Sequence, residues 1–230
     1  MASLSRQLAR WVVGLRPDDL PAAAVDRAKG VTLHGLASAL IGSQTADGRH
    51  AVALVTDEEA GVRQGATILV HGTTVTRGGA AFANSELVFA GGKWDTFRML
   101  THPGTSIIPC ALIAAETVGA TGAEFLTGLA AGYEVAERMA ADFIPTVMAR
   151  GMTLFGPRIT IHTKDGRSYT RQATGREFVW DFEEEARRIR DVVRVVPIAA
   201  PQFERLVAAC RNLDREARAD VLVQLTLAKP

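Results

Sequence analysis

The chain has 230 residues, 47% of them apolar and 22% charged, which suits one large core or two small ones and excludes wholesale disorder. Its 26 Lys and Arg against 25 Asp and Glu leave a formal charge of +1, so composition gives no case for nucleic acid or an anionic membrane as partner. Two cysteines, Cys110 and Cys210, cannot build a disulfide framework, and no apolar run reaches a bilayer-spanning length. The N-terminal segment becomes charged too early for a secretory leader, so a cytoplasmic globular protein is expected.

Leu4, Leu8, Trp11, Val12 and Leu15 form one helical stripe, with Ser3 as N-cap and Arg16-Pro17-Asp18-Asp19 as the stop. A second helix, capped by Asp19 with Pro21 in its first turn, runs to about residue 41. It is dense in Ala and Gly, which lets helices approach closely. Residues 66–70 read as a short strand with Gly72-Thr73-Thr74 as its turn, and a third helix covers about 79–88. The stretch 89–104 is irregular. Two nearly continuous apolar helices follow, about 106–118 and 123–143, and belong inside a helical body. After Gly151, residues 158–163 and 167–171 alternate with period two around Lys164-Asp165-Gly166, a hairpin signal. The remainder is helical, with Phe182, Ala186, Ile189 and Val193 as a buried face and Glu183/Arg187 and Glu184/Arg188 as exposed pairs. Short helices are predicted around 203–210 and 215–225.

Chemistry concentrates in the loop 85–104, which carries Lys93, Asp95, Thr96, Arg98, Thr101 and His102 between buried helices. His102 stands just before a helix, whose positive end disfavours imidazolium and keeps the ring neutral for proton abstraction. The same helix end, with the hydroxyls of Thr101, Thr105 and Ser106, suits a carboxylate. Lys93 and Arg98 are counter-charges for such a substrate if they face a pocket, and solvated side chains otherwise. The bland alternatives are that His102 anchors a loop and that Asp95 caps a turn. Tyr133, mid-helix, reads as a core tyrosine with a hydrogen-bonded hydroxyl. His34, His50, His71 and His162 lack metal-ligand spacing, no Cys-x-x-Cys is present, and neither a GxGxxG nor a Walker sequence occurs. The expectation is therefore no metal and no cofactor, and any catalysis would be acid–base chemistry.

The block LVF, DTF and HPGTSIIPCALIAAETVGATGAEFLTGLAAGYEVAERM resembles the MmgE/PrpD family, which includes 2-methylcitrate dehydratase, cis-aconitate decarboxylase and iminodisuccinate epimerase. Residues 18–43 are similar to its opening helices, Ala80-Ala81-Phe82-Ala83-Asn84 to the Ala-Ala-x-x-Asn before its active-site loop, and residues 160–175 to its closing lid hairpin. The resemblance implies a mainly α fold: an all-helical domain over 1–152 with a short N-terminal strand pair, a residual lid-type β-hairpin over 153–177, and C-terminal helices over 178–230 packing back on the helical domain. It also implies removal of a proton from carbon next to a carboxylate. His102 matches the family's HPG histidine, and Asp95 and Thr96 match the end of its Asp-x-Asp-Asp-Thr loop motif. His102, Asp95 and Thr96 are thus the expected catalytic residues, and Lys93, Arg98 and Thr105 the expected substrate-binding ones.

The chain departs from the family pattern at several positions. Gly92 and Trp94 stand where two aspartates are usual, and Phe89 stands where His or Asn is usual. After Met152 the family continues with an aromatic-His step, more helices with an active-site lysine and most of the lid, whereas here the last hairpin follows almost directly, as after a large internal deletion. Two readings follow. One is a cofactor-independent lyase, a dehydratase of a small polycarboxylate resembling 2-methylcitrate, or an isomerase or decarboxylase. The other is a catalytically degenerate relative serving as a structural or partner subunit; an unstable remnant is a third, blander possibility. Retention of His102, Asp95 and Thr96 favours the lyase. The expected assembly is a homodimer, or a hetero-oligomer with a full-length relative, with no nucleic acid and no membrane involved.

Overall fold

The computed structural model describes residues 3–62, 64–92, 94–95, 101–141, 158–172 and 180–228. The architecture is mainly helical, with two separate two-stranded antiparallel pairs, as the sequence predicts. Helix α1 spans Leu4–Gly14, and the Ser3 hydroxyl accepts from the Arg6 N–H at its start. None of its residues is buried; Leu8 and Leu15 are half-buried, while Leu4 and Val13 are 84% and 76% exposed. The stripe is helical as expected, yet most of it remains exposed. Asp19 does not cap the next helix. It closes a 3-10 turn over Pro17–Asp19 by accepting from the Arg16 N–H at 2.8 Å, and Pro21 occupies the cap of α2 (Ala22–Gly42).

Helix α2 is the central element. It carries Leu33, Leu36 and Leu40, each fully buried, and its small residues let α4 (Arg77–Ala90) cross at backbone distance. A Cβ on Gly42 would overlap the Leu87 carbonyl, so the crossing requires glycine there. Between them lies α3 (Ala46–Glu59), a helix the periodicity did not announce, because its buried side is only Gly48, Ala51, Val52 and Val55. Strands β1 (Ala66–Thr67) and β2 (Thr74–Val75) pair antiparallel. The expected strand to residue 70 stops early because Val70 turns to φ +69. Asn84 of α4 holds the turn, accepting from the Leu69 N–H at 2.8 Å and donating to the Thr67 carbonyl at 3.0 Å.

Helices α5 (Gly104–Val118) and α6 (Gly122–Ala141) are joined through Gly119 at φ +69, a left-handed C-cap. Leu112, Leu126 and Leu129 carry them into the core. Strands β3 (Arg158–His162) and β4 (Ser168–Gln172) form the hairpin that Asp165-Gly166 signals, with Ile161 opposite Tyr169 and Gly166 at φ +84. Helix α7 (Phe182–Ile189), capped by Asp181, docks on α2: the Asp26 carboxylate accepts from the Phe182 N–H, and His34 pairs with Glu185 at 2.6 Å. The expected Glu184–Arg188 pair forms at 2.7 Å, whereas Arg187 pairs with Glu184 in place of Glu183, which pairs with Arg211. Helices α8 (Ala200–Arg211) and α9 (Val221–Thr226) complete the core with Phe203, Leu206 and Leu222. The Gln202 side chain donates to the Leu225 and Leu227 carbonyls, and the Ala228 N–H donates to Val70, joining the end of this segment to the β1–β2 turn. Among the described residues no helix is long and apolar enough to cross a membrane.

Candidate active site

The polar loop is positioned by the end of α4 and the start of α5. Helix α4 runs through Phe89 to Ala90, further than the sequence predicts, and Gly92 at φ +68 turns the chain away. Trp94 then folds back: its indole N–H donates to the Phe89 carbonyl at 2.7 Å, and the two rings stack with centroids 4.8 Å apart and planes at 17°. The next residue, Asp95, is the organising group. Both of its carboxylate oxygens lie 3.0 Å from the Gly104 N–H, the first amide of α5, and one accepts from the Tyr133 hydroxyl at 2.6 Å. A carboxylate at a helix N-terminus satisfies an otherwise unpartnered amide and interacts favourably with the helix dipole.

Asp95 also sets the histidine. Its backbone carbonyl lies 2.8 Å from Nδ1 of His102. A carbonyl only accepts, so Nδ1 carries the proton in the neutral ring and Nε2 is the basic nitrogen. The imidazole sits against Trp94 with centroids 4.7 Å apart and a 47° tilt. The Thr105 hydroxyl donates to the His102 carbonyl at 2.7 Å, which fixes the turn into α5. No side chain is tolerated at Gly104, where a Cβ would stand 2.5 Å from the Tyr133 hydroxyl and 2.7 Å from each Asp95 oxygen.

Helix α6 closes the other side. Burial, and after it the charge and hydrogen bond of Asp95, push the Tyr133 phenol far above its ordinary range, so the group remains a donor. One turn on, burial and then the charges of Asp95 and Glu134 raise the Glu137 carboxyl. Glu134 itself pairs with Arg138. Arg27 of α2 acts on Tyr133 in the opposite sense, and its guanidinium donates to the Trp180 carbonyl. Described carboxylates therefore gather at this site, with Arg27 as a nearby cation.

The structure brings together three of the six expected site residues, His102, Asp95 and Thr105. Lys93, Thr96 and Arg98 lie outside the described residues. The residues the sequence reading missed are Tyr133, Trp94, Phe89 and Glu137. For Tyr133 the signal was present, a hydroxyl in a mostly apolar helix that needs a partner. Its partner is 38 positions away and could not be named. Among the described residues, no group of three or more His, Cys, Asp or Glu is placed to hold a metal ion.

The family model described as the MmgE/PrpD N-terminal domain matches residues 6–152, which include most of α1, all of α2 to α6 and the residues from Phe89 to Glu137 that form the site. The chain is also similar to the cis-aconitate decarboxylase-like protein oryM of Aspergillus oryzae, 26% identical over 160 residues. That alignment covers 65% of this chain but only 32% of the relative, so the chain spans about a third of that protein's length. No solved structure matches. With the family model extending over more than half of its length, from the opening helix through the His102 loop to the end of α6, the chain belongs to the MmgE/PrpD family.

Proposed function

We propose that the chain acts in the cytoplasm as a cofactor-independent lyase that removes a proton from carbon next to a carboxylate of a small polycarboxylate, with dehydration of a 2-methylcitrate-like acid as the leading reaction. The observation that carries this reading is the 2.8 Å contact between Nδ1 of His102 and the Asp95 carbonyl. The Asp95 carbonyl accepts a hydrogen bond from Nδ1–H, which makes Nε2 the basic nitrogen, at the N-terminus of α5 where negative charge is favoured. Asp95 serves by position: its carboxylate locks the start of α5 and the Tyr133 hydroxyl, and its carbonyl orients the base. Thr96, Lys93 and Arg98 enter this reading on their sequence positions, Thr96 as hydroxyl donor and the two cations as counter-charges for the substrate.

The test is incubation in D2O with 2-methylcitrate, citrate, cis-aconitate and iminodisuccinate, following deuterium incorporation and turnover by NMR. Exchange or turnover that disappears in His102→Ala supports the reading. Absence of both in the parent protein with all four acids removes it. A second reading is a non-catalytic subunit, as a homodimer or paired with a full-length relative. Its support is α1, whose apolar Leu4 and Val13 are exposed. Light scattering that finds a well-folded monomer, alone and with a full-length relative, would exclude that assembly.

A further inference from the structure

Helix α1 and helix α6 approach each other without filling the space between them. A cavity of about 550 Å³ lies where α1, the 3-10 turn over Pro17–Asp19, the start of α2 and α6 meet, a volume in the range of small-molecule clefts. Its walls are mainly apolar, with Trp11, Leu15, Leu20 and Ala130 among them, and its charged groups are two carboxylates, Asp19 and Glu134. Each carboxylate uses one oxygen inside the protein. Oδ2 of Asp19 accepts from the Arg16 N–H at 2.8 Å, and Oε1 of Glu134 accepts from Arg138 Nε at 2.6 Å. The other two oxygens, Oδ1 of Asp19 and Oε2 of Glu134, have no hydrogen-bond partner among the described residues, and neither has the indole N–H of Trp11. Arg16 directs its guanidinium to the Val13 and Leu15 carbonyls at the end of α1 instead of to Asp19.

These groups select a ligand by sign. An anion would meet two like charges. A neutral apolar molecule would fill the walls but cover two carboxylate oxygens without giving them a donor, which costs more than leaving them in water. An ammonium group donates to such oxygens in hydrogen bonds of the stronger, charge-assisted kind. Its chain then covers the apolar walls, including the Trp11 ring, whose face also attracts a cation. The pair with Arg138 does not cancel the negative field on this side of α6: burial first, and then the charges of Asp95 and Glu134, raise the Glu137 carboxyl one turn away. We infer that this cavity binds a small alkylammonium, a protonated amine on an apolar chain. The polycarboxylates proposed as substrates carry the opposite charge, so this ligand is separate from the substrate of the His102 loop.

The test titrates the intact chain at neutral pH with hexylamine, hexanol and hexanoate, three ligands of equal chain length that differ in charge, and follows N–H shifts by NMR. Hexylamine should bind at millimolar concentration or below, roughly fivefold tighter than hexanol, with hexanoate the weakest. The shifts should centre on the Trp11 indole N–H, identified by its loss in Trp11→Phe, and on the amides of Leu20 and Ala130. Asp19→Asn combined with Glu134→Gln keeps the acceptors that Arg16 and Arg138 use but removes both charges, so the preference for the amine over the alcohol should fall to within about twofold. Thermal melting within a few degrees of the parent shows that this variant is folded. No binding of hexylamine, equal binding of amine and alcohol, hexanoate binding as tightly as either, or shifts centred away from α1 and α6 each overturns the inference on the parent protein alone. A preference that survives in the folded double variant overturns it as well. The readout is binding, so the result stands apart from deuterium exchange at the His102 site.

Discussion

Replacing Asp95 by alanine removes the acceptor that ties the loop, α5 and α6 together. Two costs can be worked from the geometry. The Gly104 amide loses its cap at 3.0 Å, and loss of a helix N-cap acceptor costs about 1 kcal/mol. The Tyr133 hydroxyl loses its 2.6 Å partner inside a partly buried site, and an orphaned polar group costs roughly 2 kcal/mol more. The total of about 3 kcal/mol corresponds to a fall in Tm of roughly 6–12 °C for a chain of this length. The assay is a double-mutant cycle by urea denaturation with Asp95→Ala, Tyr133→Phe and both together. Because Tyr133→Phe removes the hydroxyl that Asp95→Ala would strand, the double variant should be more stable than the sum of the singles predicts, by about 1.5–2 kcal/mol. Additivity within ~0.5 kcal/mol would refute the claim that these side chains act on each other.

Three further outcomes follow from the same site. Gly104→Ala should destabilise by about 2 kcal/mol in urea, since its methyl carbon would meet the Tyr133 hydroxyl at 2.5 Å; a neutral effect would mean that the start of α5 can shift. In a spectrophotometric titration Tyr133 should ionise above the ordinary phenol value of about 10. Tyr133 ionises above that value in the folded state, so the native state holds the extra proton and stability should fall as pH rises past about 10, a slope that Tyr133→Phe abolishes. Glu137→Gln should raise Tm at neutral pH by relieving a carboxylate held near Asp95 and Glu134, and the gain should vanish in acid where Glu137 is protonated; no gain at neutral pH would contradict the charge crowding.

Local signals in the chain were legible where one segment carried all the information. The Asp165-Gly166 turn between alternating residues gave the hairpin, and the Ala- and Gly-rich stretch gave α2 and its close crossing. Helix α3 escaped because four small or β-branched residues suffice to dock it, too few for a clear apolar stripe. The strand after Ala66 was overestimated because its apolar run continues through a residue, Val70, whose left-handed backbone no periodicity reveals. At the site, His102 and Asp95 were marked by position and family likeness. Their division of labour was hidden, because Asp95 caps a helix that begins nine residues later and binds a hydroxyl on another helix. The Phe89–Trp94 stack was hidden for a related reason: as separate letters the two look like lost polar residues, and only the turn at Gly92 brings them together.

The docking of α7 on α2 has a consequence for the way the protein is made. Helix α2 emerges from the ribosome roughly 140 residues before α7, and at about 5–20 residues per second its partner follows on the order of ten seconds later. During that interval Asp26 and His34 have no Phe182 amide or Glu185 to bind, and the α2 surface that receives α7 faces solvent. The nascent chain is then a partly assembled helical body with a sticky side, the kind of species that chaperones hold and proteases sample. The yield of soluble protein should therefore depend on synthesis rate and chaperone supply.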